Sequence, residues 1–527
     1  MGTILSIYGS HDSSVTFIGK DGKIRVLEYE RFVKQRYAAF TSNFEHISGL
    51  GTTNEQRVTF LNYIKDNIDG DVDKILHNEL SSKDIAQVTK NFPKASLTLM
   101  EHHRSHAASG FYQSNFEKAL IFSIDGGGYD NNTVVYTKAF LGDGTTISDL
   151  MNFGELNAGV PYATIGCPIS EIKPGPDGNE SSLVYAGKVM GLCAYGNVRD
   201  EWLTPMREFY SGNGSIQNLG IMGVKIGMDL SFNSLQGQDS YDLAATSQHI
   251  FEEMLLERLL PLLEQNGYPD VVLVGGCALN VLFNQRLSKI MKEHGKNVYI
   301  PPNPNDCGLS LGQFLLESPQ YVGNITYNGF DILDIDDLPN YIDEREAEKV
   351  TISKIVDLLK EGNIIGMVNG GSEIGPRALG NRSIICDPSF PKMKDTLNAK
   401  VKFREWYRPF APVCRLEDSN EYFDDVFESS CMTLAPKVNE KYRKQLISVT
   451  HKDGTARLQT VKKGGHENFY DILTELKNRG EIPVILNTSF NIKGNPILTT
   501  IVDALHVLDN TEMDYVIIDG YIFSKND

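Results

Sequence analysis

Three times before residue 310 an apolar run ends abruptly in a glycine-bearing polar turn. Ile4–Tyr8 meets Gly9-Ser10-His11-Asp12-Ser13-Ser14. Leu120–Ile124 meets Asp125 and three glycines. Val271–Val274 meets Gly275-Gly276-Cys277-Ala278-Leu279-Asn280. Strands that stop in this way present small residues and backbone N–H groups at a sheet's C-terminal edge, where α/β proteins bind phosphate-bearing ligands. The first two turns are followed by returning strands, Val15–Ile18 and Thr133–Thr137, and Lys23–Tyr29 is a third strand of the first group. Two strand–turn–strand units about a hundred residues apart predict an internally duplicated α/β fold.

Between those units lies Glu101-His102-His103-Arg104-Ser105-His106-Ala107-Ala108-Ser109, after a strand-like run Ala95–Met100. It reads as the opening turns of a helix. His102 and His106 are four apart, so they share a face and can grip one ion. With Asp125 nearby, two imidazoles and a carboxylate suit iron(II), manganese, cobalt or zinc rather than thiolate-bound structural zinc. A His-rich surface helix explains the same stretch equally well, because a bare HxxxH lacks the Glu that makes HExxH informative.

A chain of 527 residues predicts two or three domains. The net charge of −18 argues against standing affinity for polymeric nucleic acid, though not for a mononucleotide. The cysteines (Cys167, Cys193, Cys277, Cys307, Cys386, Cys414 and Cys431) form no CxxC and read as reduced cytoplasmic thiols. No apolar run approaches the ~20 residues of a membrane helix, so no membrane partner is expected. Asn157–Glu180 reads as a long loop, with Tyr162, Glu171 and Lys173 as a candidate acceptor wall. Lys188 is flanked by glycines. Tyr241–Leu263 predicts a long amphipathic helix. Asp306 stands near the start of a helix from Gly308 to Leu316. Acidic, patternless Asn324–Glu346 reads as a linker.

Beyond it, helix Val350–Glu361 and strand Ile364–Val368 lead into Gly370–Ser383, which carries Arg377 and Arg382. Lys402-Phe403-Arg404-Glu405-Trp406-Tyr407-Arg408 adds three cations, and Thr455-Ala456-Arg457 another. Strand Val484–Leu486 runs into Asn487-Thr488-Ser489-Phe490-Asn491. Cations gathered around glycine turns point to a bound anion; a solvated basic face is the alternative.

Taken together, these stretches resemble the O-carbamoyltransferases of the nodulation-protein-U and tobramycin-carbamoyltransferase family, over nearly the whole chain. The resemblance rests on His11-Asp12-Ser13-Ser14, His102/His106, Ser123-Ile124-Asp125-Gly126, Gly187 to Leu192, Gly275-Gly276 with Asn280, Asp306-Cys307-Gly308, Gly375-Pro376-Arg377-Ala378-Leu379-Gly380-Asn381-Arg382-Ser383, Lys402-Phe403-Arg404-Glu405 with Arg408-Pro409-Phe410-Ala411-Pro412, and Asn487 to Asn491. It implies a duplicated actin-like domain over 1–340, of the superfamily of acetate and sugar kinases, heat-shock chaperones and actin. A YrdC-like α/β domain that forms carbamoyl adenylate would follow over 345–527. By resemblance, His102, His106, Asp125 and Asp306 bind a divalent metal, iron(II) foremost, with manganese, cobalt or zinc as alternatives. His11 sits beside the carbamoyl group. Asp12, Lys188, Gly275, Gly276 and Asn280 face the nucleotide. Arg377, Lys402, Arg457 and Ser489 hold carbamoyl phosphate and the forming adenylate. One departure stands out. Relatives carry Arg then Lys, two apart, after the early Glu-Arg pair; here Glu30-Arg31 is followed by Lys34 and Arg36, which leaves Arg36 without an assigned role.

The implied activity uses carbamoyl phosphate and ATP with Mg²⁺ and ends on a small hydroxyl acceptor. A sugar or natural-product hydroxyl and a hydroxymethylpyrimidine nucleotide rank equally. A homodimer is compatible with it. His11 either takes the acceptor's proton or steadies the carbonyl. An actin-like ATPase acting by domain closure would explain the glycine turns but not the His pair or the basic second half. A tRNA threonylcarbamoyl transferase conflicts with the acidic composition. A sugar kinase would give a phosphorylated product.

Overall fold

The computed structural model describes residues 2–47, 49–131, 133–154, 156–172, 183–492 and 494–525. It is an α/β protein with mixed sheets, in two compact units. The first comprises 1–23 and 37–324, the second 24–36 and 325–527. Among the described residues no helix is long and apolar enough to cross a membrane.

Two sheets of the first unit share one plan. Thr3–Tyr8 pairs antiparallel with Ser14–Ile18 and parallel with Val72–Asn78, which takes Ser96–Leu99 in parallel. Lys118–Asp130 pairs antiparallel with Thr133–Asp143 and parallel with Asp270–Val274, which takes Val298–Tyr299 in parallel. The central strands are buried on both faces, which is why apolar runs rather than alternation mark them in the sequence.

The glycines after Asp125 are not the turn that their composition suggests. Lys118–Asp130 runs on through them, with a register slip against its partner between Ile124 and Gly128. The chain turns at Asn131, whose φ is +49°. A bulge re-aims side chains without ending the strand. Here it turns Asp125 toward the His helix, and a Cβ at position 128 would overlap the His102 ring.

Asn157–Glu180 is not one long loop either. Gly159–Thr164 is a helix and Ser170–Ile172 a 3₁₀ turn. The Tyr162 hydroxyl donates to Gln248 Oε1 at 2.6 Å, and Glu171 accepts from the Gly237 N–H and the Ser240 hydroxyl. Both side chains brace the long helix Gln238–Gln265 and its N-terminus. Lys173 lies outside the described residues.

The second unit is built on an eight-stranded mixed sheet. Its centre is Tyr515–Ile518, Ile365–Val368, Arg382–Cys386, Val484–Ser489 and Ala411–Arg415. Ile384 packs into one apolar cluster and Ile385 into another, as successive strand residues must. The expected linker is part of this unit. Ile332 and Leu338 are buried in its larger cluster, Leu338–Arg345 is helical, and Tyr341 and Ile342 pack beside them. The acidic side chains masked this short amphipathic pattern. Ile332→Ala is therefore expected to cost about 2–5 kcal/mol in urea unfolding, as a core truncation does. A loss within about 0.5 kcal/mol would restore the linker reading.

Candidate functional site

The helix His102–Phe111 is buried nearly throughout and carries both imidazoles on one face. Asp125 comes from the bulged strand. Asp306 opens the 3₁₀ turn Asp306–Gly308, just before helix Leu309–Glu317. His102 Nε2 is 3.0 Å from Asp125 Oδ2 and 3.7 Å from Asp306 Oδ1. His106 Nε2 lies 3.4 Å and 3.3 Å from the same two oxygens. One ligand atom from each of the four buried residues falls within 4.8 Å of the others, a grouping that can hold a metal ion.

Each carboxylate is turned so that one oxygen faces this centre and the other is committed elsewhere. Asp125 Oδ1 accepts the Gly276 N–H at 2.9 Å. Asp306 Oδ2 accepts the Tyr8 hydroxyl at 2.6 Å. His106 Nε2 is buried without a hydrogen-bond partner. Two buried carboxylates facing two imidazoles fit a divalent cation, which would neutralise both charges and complete that nitrogen. Burial opposes charge on His106, yet the attraction of Asp125 and Asp306 pushes its pKa up to about 9. The pocket thus draws positive charge.

Three neighbours were not legible as site residues. Tyr8 reads as a strand residue. Glu79, at φ +55°, brings Oε1 to 3.9 Å from the buried His102 Nδ1, where a carboxylate can orient a ligating imidazole. His103 sits between His102 and His106 yet faces away. Its Nε2–H donates to the Val135 carbonyl at 2.9 Å, and its Nδ1 lies 2.7 Å from the Ser123 hydroxyl. A left-handed non-glycine residue such as Glu79 has no reliable sequence signal.

His11 is more open than His102, His106, Asp125 and Asp306, with 29% of its side chain exposed. Its Nδ1 is 3.0 Å from Asp12 and its Nε2 3.5 Å from Asp306. Burial opposes its charge, but Asp12 and Asp306 hold its pKa up to about 10. The other first-unit candidates make internal contacts. Gly276 holds Asp125, and Gly275, at φ +89°, leaves no room for a Cβ against the Ile124 carbonyl. Asn280 accepts the Phe283 N–H at a helix start and pairs with Gln248. Lys188, inside helix Leu183–Leu192, donates to the Ile172 carbonyl at 2.8 Å.

The second unit gathers cations. Lys402 ends a π-helical turn, Leu397–Val401, and donates to the carbonyls of Ser489 (2.6 Å) and Asn491 (2.7 Å) and to the Asn491 side chain. Ser489 Oγ is 3.2 Å from Nζ. Burial, then Arg404, Arg408 and Arg36, push the Lys402 pKa well down. Burial, then Arg377, Arg404 and Arg408, do the same to Arg457, whose Nε is buried without a hydrogen-bond partner. Lys402, Arg457, Ser489 and Arg377 thus come together electrostatically or by contact, joined by Arg404, Arg408 and Arg36. Arg382 does not join them. It is fully buried and donates to the carbonyls of Asn369, Gly370 and Asn381. Like charges crowded in this way are costly unless an anion meets them.

Family models carry the same division. One described as carbamoyltransferase N-terminus matches residues 60–315, and one described as carbamoyltransferase C-terminus matches 356–525. Nodulation protein NolO of Bradyrhizobium diazoefficiens is 31% identical over 81% of this chain and 79% of its own. An uncharacterized protein of Methanocaldococcus jannaschii is 30% identical over 99% of both chains. A remote likeness, TM-score 0.36 at 14% identity, links 61% of this chain to 56% of full-length HypF, whose crystal structure is in a phosphate- and nucleotide-bound form. The matched halves define an enzyme that carbamoylates. The chain belongs to the O-carbamoyltransferase family.

Two outcomes follow from this geometry. Tyr8→Phe frees Asp306 Oδ2 and should weaken divalent-metal binding roughly 10-fold or more, measured by titrating metal into the apoprotein; unchanged affinity would mean that the hydroxyl does not orient the ligand. The second concerns His466, which accepts the Phe469 N–H at a helix start and lies 3.0 Å from Asn381 Oδ1. Burial lowers its pKa from 6.5 to about 4. Below pH 6.5 the unfolded chain binds a proton that the folded chain refuses, so stability falls toward pH 4. At pH 5 this imidazole accounts for about 2 kcal/mol of that loss. His466→Gln should remove that share of the difference between urea unfolding at pH 7 and pH 5.

Proposed function

We propose that the chain is an ATP-dependent O-carbamoyltransferase with two chemical stations. In the second unit, water cleaves carbamoyl phosphate to carbamate and phosphate. A carbamate oxygen attacks the α-phosphorus of ATP, and the bond to pyrophosphate breaks, giving carbamoyl-AMP. In the first unit, an acceptor hydroxyl attacks the carbamoyl carbon, the bond to the AMP oxygen breaks, and the hydroxyl proton passes to the departing AMP phosphate or to water. The acceptor is a small molecule with a free hydroxyl, a sugar or natural product or a hydroxymethylpyrimidine nucleotide. The reading carries the duplicated actin-like and YrdC-like assignments with it. The same two-strand-then-parallel plan in both first-unit sheets supports the former.

The observation that carries the proposal is the crowding of Lys402, Arg404, Arg408, Arg457 and Arg377 in one unit, while the two-His, two-Asp centre occupies the other. Carbamoyl phosphate and a triphosphate are the anions that such a crowd favours. Lys402 spends its three N–H donors on the Ser489 and Asn491 carbonyls and the Asn491 side chain, so it would meet a phosphate by trading one of these bonds. Arg377 and Arg457 supply forked donors.

His102, His106, Asp125 and Asp306 would hold a divalent metal, iron(II) foremost, which supplies Lewis-acid polarisation of the adenylate's phosphate or carbonyl oxygen. Tyr8 and the Gly276 N–H keep the two carboxylates turned inward. His11, open to substrate and flanked by Asp12 and Asp306, offers an N–H to the adenylate, the geometry of a donor that steadies oxygen charge.

Separate half-reactions test this division. Lys402→Ala should abolish carbamoyl-phosphate-dependent exchange of pyrophosphate into ATP while retaining transfer from synthetic carbamoyl-AMP. His106→Ala should lose metal and transfer while retaining exchange. The loss of both half-reactions in either folded variant would overturn the two-station reading. Mass spectrometry for the gain of one carbamoyl group, across sugar and nucleotide acceptors, then selects the acceptor class.

A further inference from the structure

The short segment Ile24–Arg36 belongs to the second unit although the chain continues into the first on both sides of it. It comprises strand Ile24–Glu28 and helix Tyr29–Val33. Glu28 and Arg31 are both buried. Arg31 Nη1 donates to the Glu373 carbonyl and Nη2 to the Gly375 carbonyl, each at 2.6 Å. Glu28 Oε1 accepts the Gly375 N–H at 2.6 Å and is 3.0 Å from Arg31 Nη2. One carboxylate and one guanidinium thus grip both polar groups of Gly375 and the carbonyl two residues earlier. Gly375 sits at φ +89°, a conformation that needs an external hold and suits glycine.

The far end of the same loop is also tied. Glu373 Oε1 accepts the N–H groups of Leu379, Asn381 and Arg382 at 2.7, 2.8 and 3.2 Å. Between the two ties lie only Pro376, Arg377 and Ala378. Pro376 fixes its own φ. The backbone that carries Arg377 therefore has little freedom left. The geometry points to Glu28 and Arg31 as positioning residues: a clamp, supplied from the start of the chain, that sets Arg377 in the anion site of the second unit. The segment ends at Arg36, whose charge acts on Lys402 and Arg404, so it reaches the same site a second time. A buried ion pair with only a packing role would have no reason to meet the backbone on either side of Ile374, three residues before Arg377.

This inference rests on the reading that Arg377 binds carbamoyl phosphate. The test is a double-mutant cycle in the full-length protein, read as the KM for carbamoyl phosphate in pyrophosphate exchange, alongside transfer from synthetic carbamoyl-AMP. Arg377→Ala alone must raise that KM; if it does not, the functional reading fails rather than the clamp. Arg31→Lys keeps the charge but cannot fork to two carbonyls, and Glu28→Gln keeps the shape but cannot hold a guanidinium. Each should raise the KM roughly 10- to 100-fold, as misplacement of a binding group does, with transfer from carbamoyl-AMP within twofold of the unaltered protein. In the Arg377→Ala background neither should raise it further. Full additivity, an unchanged KM in the folded single variants, or an equal loss of transfer would overturn the clamp. Urea midpoints, measured on every variant, separate loss of fold from loss of position.

Discussion

Two aspartates that each spend one oxygen on the protein and turn the other toward a pair of imidazoles set the terms for the first unit. A buried carboxylate oxygen facing a second one is tolerated only if positive charge lies between them. Much of the local structure serves that arrangement. The bulge after Ile124 turns Asp125 inward, and Gly276 ties off its spare oxygen. Tyr8, in the first strand, does the same for Asp306, almost three hundred residues later. His103, neutral and doubly engaged, fixes the helix that bears the two ligands. The site is thus assembled from the first strand, the central helix, a strand bulge and two later turns, and no local stretch contains it.

The second unit solves the opposite problem. It brings lysine and arginine side chains together, close enough that the charges of Arg377, Arg404, Arg408 and Arg36 act on Lys402 or Arg457. Glu405 faces Arg408 within the group, while Glu373 is used on backbone N–H groups. Like charges held together repel, so under the proposed reading a phosphorylated ligand would relieve part of that repulsion.

What could be read beforehand follows from these physics. Apolar strands buried on both faces announce themselves, so Leu120–Ile124 and Val271–Val274 were legible, as was the i, i+4 spacing of His102 and His106. Gly126-Gly127-Gly128 misled because a bulge and a turn use the same residues; only the partner strand's register distinguishes them. Asn324–Glu346 misled because its few apolar anchors are diluted by acid groups that face solvent. Gly276 and Asn280 show how a residue type can serve the protein itself: Gly276 gives its N–H to Asp125, and Asn280 accepts the Phe283 N–H at a helix start. Tyr8, Glu28 and Arg31 were illegible as site residues because their partners lie hundreds of positions away, and one sequence carries no record of which distant residues touch.

That distance also bears on how the chain is made. Glu28 leaves the ribosome long before Gly375, 347 residues later, exists to receive it. The first unit can gather its sheets while the rest is still being synthesised, but Glu28 and Arg31 must wait for the backbone of Glu373 and Gly375 that they hold in the finished chain. Loop closure over such a separation is slow compared with local pairing. The anion site is therefore expected to be the last part of the molecule to mature. A gene split between the two family domains would yield a second half without the segment that its own binding loop grips.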